Sequence, residues 1–301
     1  MNHDTESRIL VVRPGALGDT ILGIPLLESI RNIHPGASFT VVGNGRYRFL
    51  MPRDMEFQSV DHPDQLWLFG SGEAKWSPPA RRFGKAYLVL TRPDIVAENL
   101  KRAGTRSIVH VASRPSAGIH VVEHLHHGLG AAVPARKSVL THLAQGERKP
   151  LLWIHPGSGG PGKCVPLHEM RALAEKLRNG FGWDAAVTAG EEDEFLKDHA
   201  AWPRLIAAAR TQLLENRPLE ELCGTLGRAG LFLGNDSGIG HLAANLGVPS
   251  AVLFVSTDPV QWAPWVPDQQ IKTIDLRTRE LTAEVLRAVA DALVSWINGT
   301  R

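Results

Sequence analysis

The chain has 301 residues, 21% of them charged and 43% hydrophobic, and carries a formal net charge of +2. Such a length suits two domains, since single cores rarely outgrow about 250 residues, and such a composition excludes disordered and fibrous classes. The weak net charge argues against nucleic acid as a partner, and no apolar run reaches the ~18 residues that would span a bilayer.

Short apolar runs alternate with segments of helical period, which predicts parallel sheets covered by helices on both faces. In the first half the strand candidates are RILVVR, SFTVVG, KAYLVL and RSIVHV. The first runs into a loop carrying Gly15, Gly18 and Asp19, and then into a periodic apolar segment interrupted by Pro25. Proline at that place predicts a helix that starts late or bends. The stretch from Pro52 to Pro79 shows no clear pattern. Polar residues 134–150 mark a connection, and domains of 1–148 and 149–301 are expected. The second half repeats the alternation with LLWIHPG, DAAVTAG, LFLGN and SAVLFV. A closing helix over 282–298 has Thr282 as its cap and Gly299 at its end, and is open to packing back on the first domain.

Open α/β sheets bind ligands beyond the carboxyl ends of their strands, so residues just after strands are the informative ones. In HPGSGGPGKCVPLHEM, residues 155–170, glycines admit backbone N–H groups close to an oxyanion, and Lys163 adds a point charge suited to phosphate. It is not a P-loop, because Cys164 follows the lysine. In FLGNDSGIGHLAANLGVP, residues 232–249, Asp236 and Ser237 are placed to cap a helix whose N-terminus suits a diphosphate, with Gly238 and His241 on its first turn. Glu191 or Glu192, just past DAAVTAG, is placed to accept bonds from ribose hydroxyls. His120, His124 and His127 fall at helical spacing, but only Glu123 supports a metal face, and surface histidines are expected. Cys164 and Cys223 form neither a zinc motif nor a disulfide framework, which fits a reducing compartment. The polar start MNHDTESRIL lacks a signal-peptide core, so a cytoplasmic protein is expected.

Taken together, RPGALGDTILGIPLL, HPGSGGPGKCVP, GNDSGIGHLAANLGVP and STDPVQWAP resemble glycosyltransferase family 9, the ADP-heptose:lipopolysaccharide heptosyltransferases. AGIHVVEHLHHGLG resembles the family's first domain. The resemblance implies a GT-B-like α/β fold, two Rossmann-like domains with parallel sheets facing across a cleft, and inverting transfer without a metal or other cofactor. It implies Asp19 as the general base for an acceptor hydroxyl, on a loop shaped by Gly15 and Gly18. Ser158 and Lys163 would contact donor phosphate, Asp236, Ser237, Gly238 and His241 would form the rest of the donor block, and Glu192 or Glu191 would meet the ribose. ADP-heptose and a lipopolysaccharide core or other glycan would be the substrates, with peripheral contact at the cytoplasmic face of the inner membrane. Arg13, Arg46, Arg48 and Arg92 are basic candidates for an anionic acceptor. The chain departs from the family at Val165, where a tryptophan is usual, and in its shorter first domain.

Three alternatives stay open. One is a family relative using another nucleotide sugar or a non-lipopolysaccharide acceptor. Another is a non-catalytic sugar-nucleotide-binding protein. The third, a nicotinamide-dependent oxidoreductase, lacks its fingerprint in the first loop.

Overall fold

The computed structural model describes residues 8–71, 82–208, 210–279 and 282–299. The chain divides into two compact units, Met1–Pro134 and Ala135–Arg301. Each is an α/β unit built on one parallel sheet.

In the first unit the strands are β1 (Arg8–Val12), β2 (Ser38–Gly43), β3 (Glu56–Ser59), β4 (Lys85–Leu90) and β5 (Ser107–Ala112), in the order β3-β2-β1-β4-β5. The interior strands are apolar on both faces because helices cover both. Leu10, Val12, Val42, Ala86 and Leu88 pack with Trp67 and Leu68 and with Val96 and Leu100 of helix α2 (Asp94–Arg102). Helix α1 (Leu17–Ile33) packs on α3 (Val121–Leu129), where Ser29 Oγ meets His126 Nε2 at 3.0 Å. Pro25 lies inside α1, which neither begins late nor leaves Asp19 in a loop: Gly18 and Asp19 are already helical. Burial explains the early start, because Leu17, Thr20 and Ile21 all reach the core, and the Thr20 hydroxyl donates to Ala16 O. Residues 72–79 of the unassigned Pro52 to Pro79 stretch lie outside the described residues.

The second unit contains β6 (Lys149–His155), β7 (Asp184–Ala189), β8 (Thr211–Glu215), β9 (Ala229–Asn235), β10 (Ser250–Phe254) and β11 (Ile271–Asp275), in the order β11-β10-β9-β6-β7-β8. Its helices of two or more turns are α4 (Leu167–Phe181), α5 (Leu219–Leu226), α6 (Gly238–Asn245) and α7 (Ala283–Gly299). On one face Leu152, Ile154, Val187, Leu231, Leu233 and Leu253 form a core with Leu173 and Leu177 of α4 and Leu286, Leu293 and Ile297 of α7. On another, Ala244 of α6 packs with Val252, Phe254 and Val266. Helix α7 lies on α4 of its own unit, and the Thr282 hydroxyl accepts from Val285 N at its start. The polar connection is also tied here: Ser138 Oγ donates to Gln270 Oε1, and Leu140 N to Asn245 O.

The order of the strands marks the edge where sheets of this kind bind ligands. In the first sheet β1 is flanked by β2 and β4; in the second β6 is flanked by β7 and β9. Connections leave in opposite directions from those central strands, the switch point at whose carboxyl ends open α/β sheets commonly bind ligands. Asp19 comes after β1, the glycine loop after β6, and Asp236 and Ser237 after Asn235, the last residue of β9.

Candidate functional site

In the second unit three chain segments meet at Asp236, which is 7% exposed. The Thr257 hydroxyl donates to Asp236 Oδ2 at 2.6 Å, Lys163 Nζ lies 3.9 Å from the same oxygen, and His241 Nε2 lies 3.8 Å from Oδ1. Ser158 Oγ donates to the Asp236 backbone carbonyl at 2.6 Å, which ties the glycine loop to the end of β9. Burial alone would raise the Asp236 carboxyl, but His241, Thr257 and Lys163 together outweigh it and hold the group below its ordinary range. The helix cap is Ser237, whose side chain accepts from Gly240 N at 3.2 Å, so Asp236 is not a second cap. Its carboxylate gathers the Lys163 ammonium, the His241 imidazole and the Thr257 hydroxyl instead. His241 is 5% exposed, and its Nδ1 has no hydrogen-bond partner among the described residues. A lysine, an imidazole and the N-terminus of α6 at one strand end suit an anion of the phosphate type.

Beneath this surface a buried polar layer fixes the two loops. Asn235 Nδ2 donates to Pro156 O at 2.7 Å, and its Oδ1 accepts from Val165 N at 3.0 Å. One amide therefore rivets both ends of the Gly157–Cys164 loop to β9. Asp193, 4% exposed, accepts from Gly190 N at 2.8 Å, and a Cβ placed on Gly157 would overlap its carboxylate. Only glycine permits that approach. His155 donates through Nδ1 to Thr188 O at 3.2 Å; burial lowers its pKa, opposed by Asp193 and that carbonyl. Burial and then Asp193 push the Cys164 thiol up to about 11.

Glu191 and Glu192 stand exposed on the 3₁₀ turn Glu191–Leu196 that follows β7, at the same carboxyl edge. The acids do not open an α-helix. Asp193 folds back on Gly190, which tightens the turn.

In the first unit Asp19 occupies the first turn of α1, directly after β1. Gly15 leaves room for it, since a Cβ there would lie 2.8 Å from Asp19 Cβ. Arg13 does not face an acceptor, contrary to the sequence expectation. It is 7% exposed and donates through Nε and Nη2 to the Asp19 carbonyl at 3.1 and 2.8 Å. Burial lowers its pKa, opposed by the charge of Asp19. Arg46 and Arg48 lie exposed on the 3₁₀ turn after β2, and Arg92 exposed after β4, all at the carboxyl edge.

The histidines of AGIHVVEHLHHGLG serve the fold. His120 is buried rather than on the surface and accepts from Val122 N as the cap of α3; His124 Nε2 bonds Ala112 O at 2.9 Å, and His127 is exposed. Burial, then Glu220, pushes the Cys223 thiol up to about 12. The sequence reading passed over Thr257, Asn235 and Asp193. Thr257 lies within the STDPVQWAP block that carried the resemblance, and Asn235 is a polar residue ending an otherwise apolar strand, so both left a signal.

Comparison with known proteins identifies the family and the fold. Residues 125–284 match the model of glycosyltransferase family 9 (heptosyltransferase). A curated relative, lipopolysaccharide heptosyltransferase 3 of Escherichia coli, is 28% identical over 159 residues. That match takes in 46% of this chain and 45% of the relative, so it spans less than half of the relative's length. Among solved structures, E. coli heptosyltransferase WaaC with ADP is similar with a TM-score of 0.70 at 17% identity, covering 96% of this chain and 99% of that one. The E. coli ADP-heptose lipopolysaccharide heptosyltransferase II gives 0.71 at 17% identity, covering 97% and 99%. These likenesses establish a GT-B-like fold of two Rossmann-like α/β units. With more than half of its length, and both post-strand loops of its second unit, inside the matched model, the chain belongs to glycosyltransferase family 9.

Proposed function

We propose that the protein is an inverting glycosyltransferase that moves heptose from ADP-heptose to a sugar of the lipopolysaccharide inner core. The observation that carries this reading is the convergence of Lys163, His241 and the start of α6 on Asp236 at the carboxyl edge of the second sheet. Inverting transfer needs a base for the incoming hydroxyl and stabilisation of charge on the departing diphosphate. Asp19 takes the acceptor proton. Lys163, with the N–H groups of the glycine loop and of α6, receives the charge that builds on the diphosphate as the glycosidic bond breaks. Ser158 and Ser237 hold the two loops in register for that contact, and Glu192 or Glu191 meets the ribose. Arg46, Arg48 and Arg92 suit an anionic acceptor. The names of the similar heptosyltransferases, which include ADP, ADP-heptose and lipopolysaccharide, support this choice of substrates.

The charge of the leaving group is met by side chains and helix termini, so turnover is expected to be independent of divalent metal. Catalysis belongs in the cytoplasm, with peripheral contact at the inner membrane where the acceptor is anchored. No described helix is long and apolar enough to cross a membrane. The test is ADP release from ADP-heptose with a panel of truncated core acceptors, with and without EDTA. Acceptor-dependent release that survives EDTA is expected. ADP binding without release on any acceptor would point to a non-catalytic binding protein, and release from a different nucleotide sugar would reassign the donor.

A further inference from the structure

We propose that Arg13 is the positioning residue for Asp19, and that Gly23 is the opening that lets its side chain reach. The inference rests on Asp19 being the base. Arg13 ends the run of β1, yet its guanidinium does not extend into solvent. It turns back onto α1 and places both Nε and Nη2 on one backbone oxygen, that of Asp19. In an α-helix the same carbonyl is the partner of the N–H four residues on, which is Gly23. A Cβ at Gly23 would collide with Arg13 Nε and lie 2.8 Å from its Cδ. No other residue type at 23 leaves that path clear.

A cation there is costly in two ways. It is desolvated, and it sits by a helix N-terminus, whose dipole repels positive charge. A fork that spends its donors on a single carbonyl under those penalties fixes the position of that peptide. The carboxylate of Asp19 hangs from the same residue and lies within electrostatic reach of the guanidinium. Gly15 completes the mount, because its bare Cα lets the chain pass against Asp19 Cβ. The carboxylate is thus held from its backbone, from its flank and by the charge behind it. Lysine cannot replace this arrangement in full, since it carries the charge without the planar fork.

The experiment compares Arg13→Met, Arg13→Lys, Gly23→Ala, Asp19→Asn and the Arg13→Met/Asp19→Asn double variant, reading kcat and donor KM from ADP release, with thermal melting as the control for folding. Displacing the base is expected to lower kcat about tenfold or more in Arg13→Met and Gly23→Ala with donor KM unchanged. Arg13→Lys recovers part of the loss. Gly23→Ala keeps the native residue at 13 and suits a helix interior better than glycine, so it tests the idea even if Arg13→Met fails to fold. In the Asp19→Asn background the Arg13 change should cost nothing further, because both act on one group. Full kcat in Arg13→Met and Gly23→Ala alongside an inactive Asp19→Asn overturns the positioning role and leaves the base assignment standing. An equal further loss in the double variant overturns it too, since that marks a general effect on the fold. Full activity in Asp19→Asn removes the base assignment itself, and this inference with it.

Discussion

Asp19 and Cys164 show how one residue's surroundings set its chemistry. Asp19 sits on the first helical turn beside a buried guanidinium and a bare glycine, so its carboxylate is presented by backbone rather than by a mobile loop. Removing the charge while keeping the shape, as in Asp19→Asn, is expected to lower turnover by about a hundredfold or more, the usual scale for a lost general base. ADP binding measured by calorimetry should be unchanged, because the groups proposed to bind the donor lie on the second unit. Near-normal turnover would remove the base assignment. Cys164 follows Lys163 directly and is easily mistaken for a reactive thiol, but burial and Asp193 push it to about 11, and Cys223 is pushed to about 12. The thiolate is the reactive form. Mass spectrometry after iodoacetamide at pH 8 should therefore find both cysteines largely unmodified in the native protein and fully alkylated in denaturant.

Strands and helices differ in how plainly the sequence announces them. Interior strands such as RILVVR and SAVLFV are buried on both faces and read as unbroken apolar runs. The strands missed, β3, β8 and β11, are all edges of their sheets, and their sequences EFQS, TQLLE and IKTID mix polar with apolar residues because one side meets solvent. Pro25 misled in the opposite sense, since the extensive burial of α1 overrides a local preference against proline. Lys163 and His241, whose types suit an anion, were legible together with the Asp236 carboxylate that holds them, and all three are brought together. Arg13 was misread because an arginine's destination depends on where the backbone turns. At this scale the Asp236 segment and α6 predict a pH effect. The Asp236 pKa is depressed in the folded protein, so the stability it contributes is fully present above the ordinary carboxylate value near 4 and is lost as pH falls through the lower folded value. Urea unfolding between pH 6 and pH 3 should show a shallower loss in Asp236→Asn than in the parent. Ser237→Ala, which removes the cap of α6, should cost about 1 kcal/mol at all these pH values.

For the chain as a whole, the two parallel sheets divide the labour that the proposed reaction requires. The first unit carries Asp19, and the second carries Lys163, His241 and the helix terminus. Ligand linkage makes this testable without a catalytic assay. ADP at about a hundred times its dissociation constant should stabilise the protein by roughly 2.7 kcal/mol. Lys163→Met should reduce the thermal shift at the same ADP concentration, whereas Asp19→Asn should not. A shift abolished equally by both substitutions would contradict the division.

The contact between Gly157 and Asp193 also orders the routes by which the Gly157–Cys164 loop can change. A side chain at 157 collides with the Asp193 carboxylate, while Asp193 itself can be shortened without first altering 157. Gly157→Ala should therefore be poorly tolerated in the parent and accepted in an Asp193→Ala background, so the double variant is reached through one intermediate and blocked through the other. Losing Asp193 also removes a negative charge facing His155 and Cys164, which makes the imidazole harder to protonate and the thiol easier to ionise. Any lineage that enlarges position 157 by this route passes first through a protein with different titration behaviour under the Gly157–Cys164 loop.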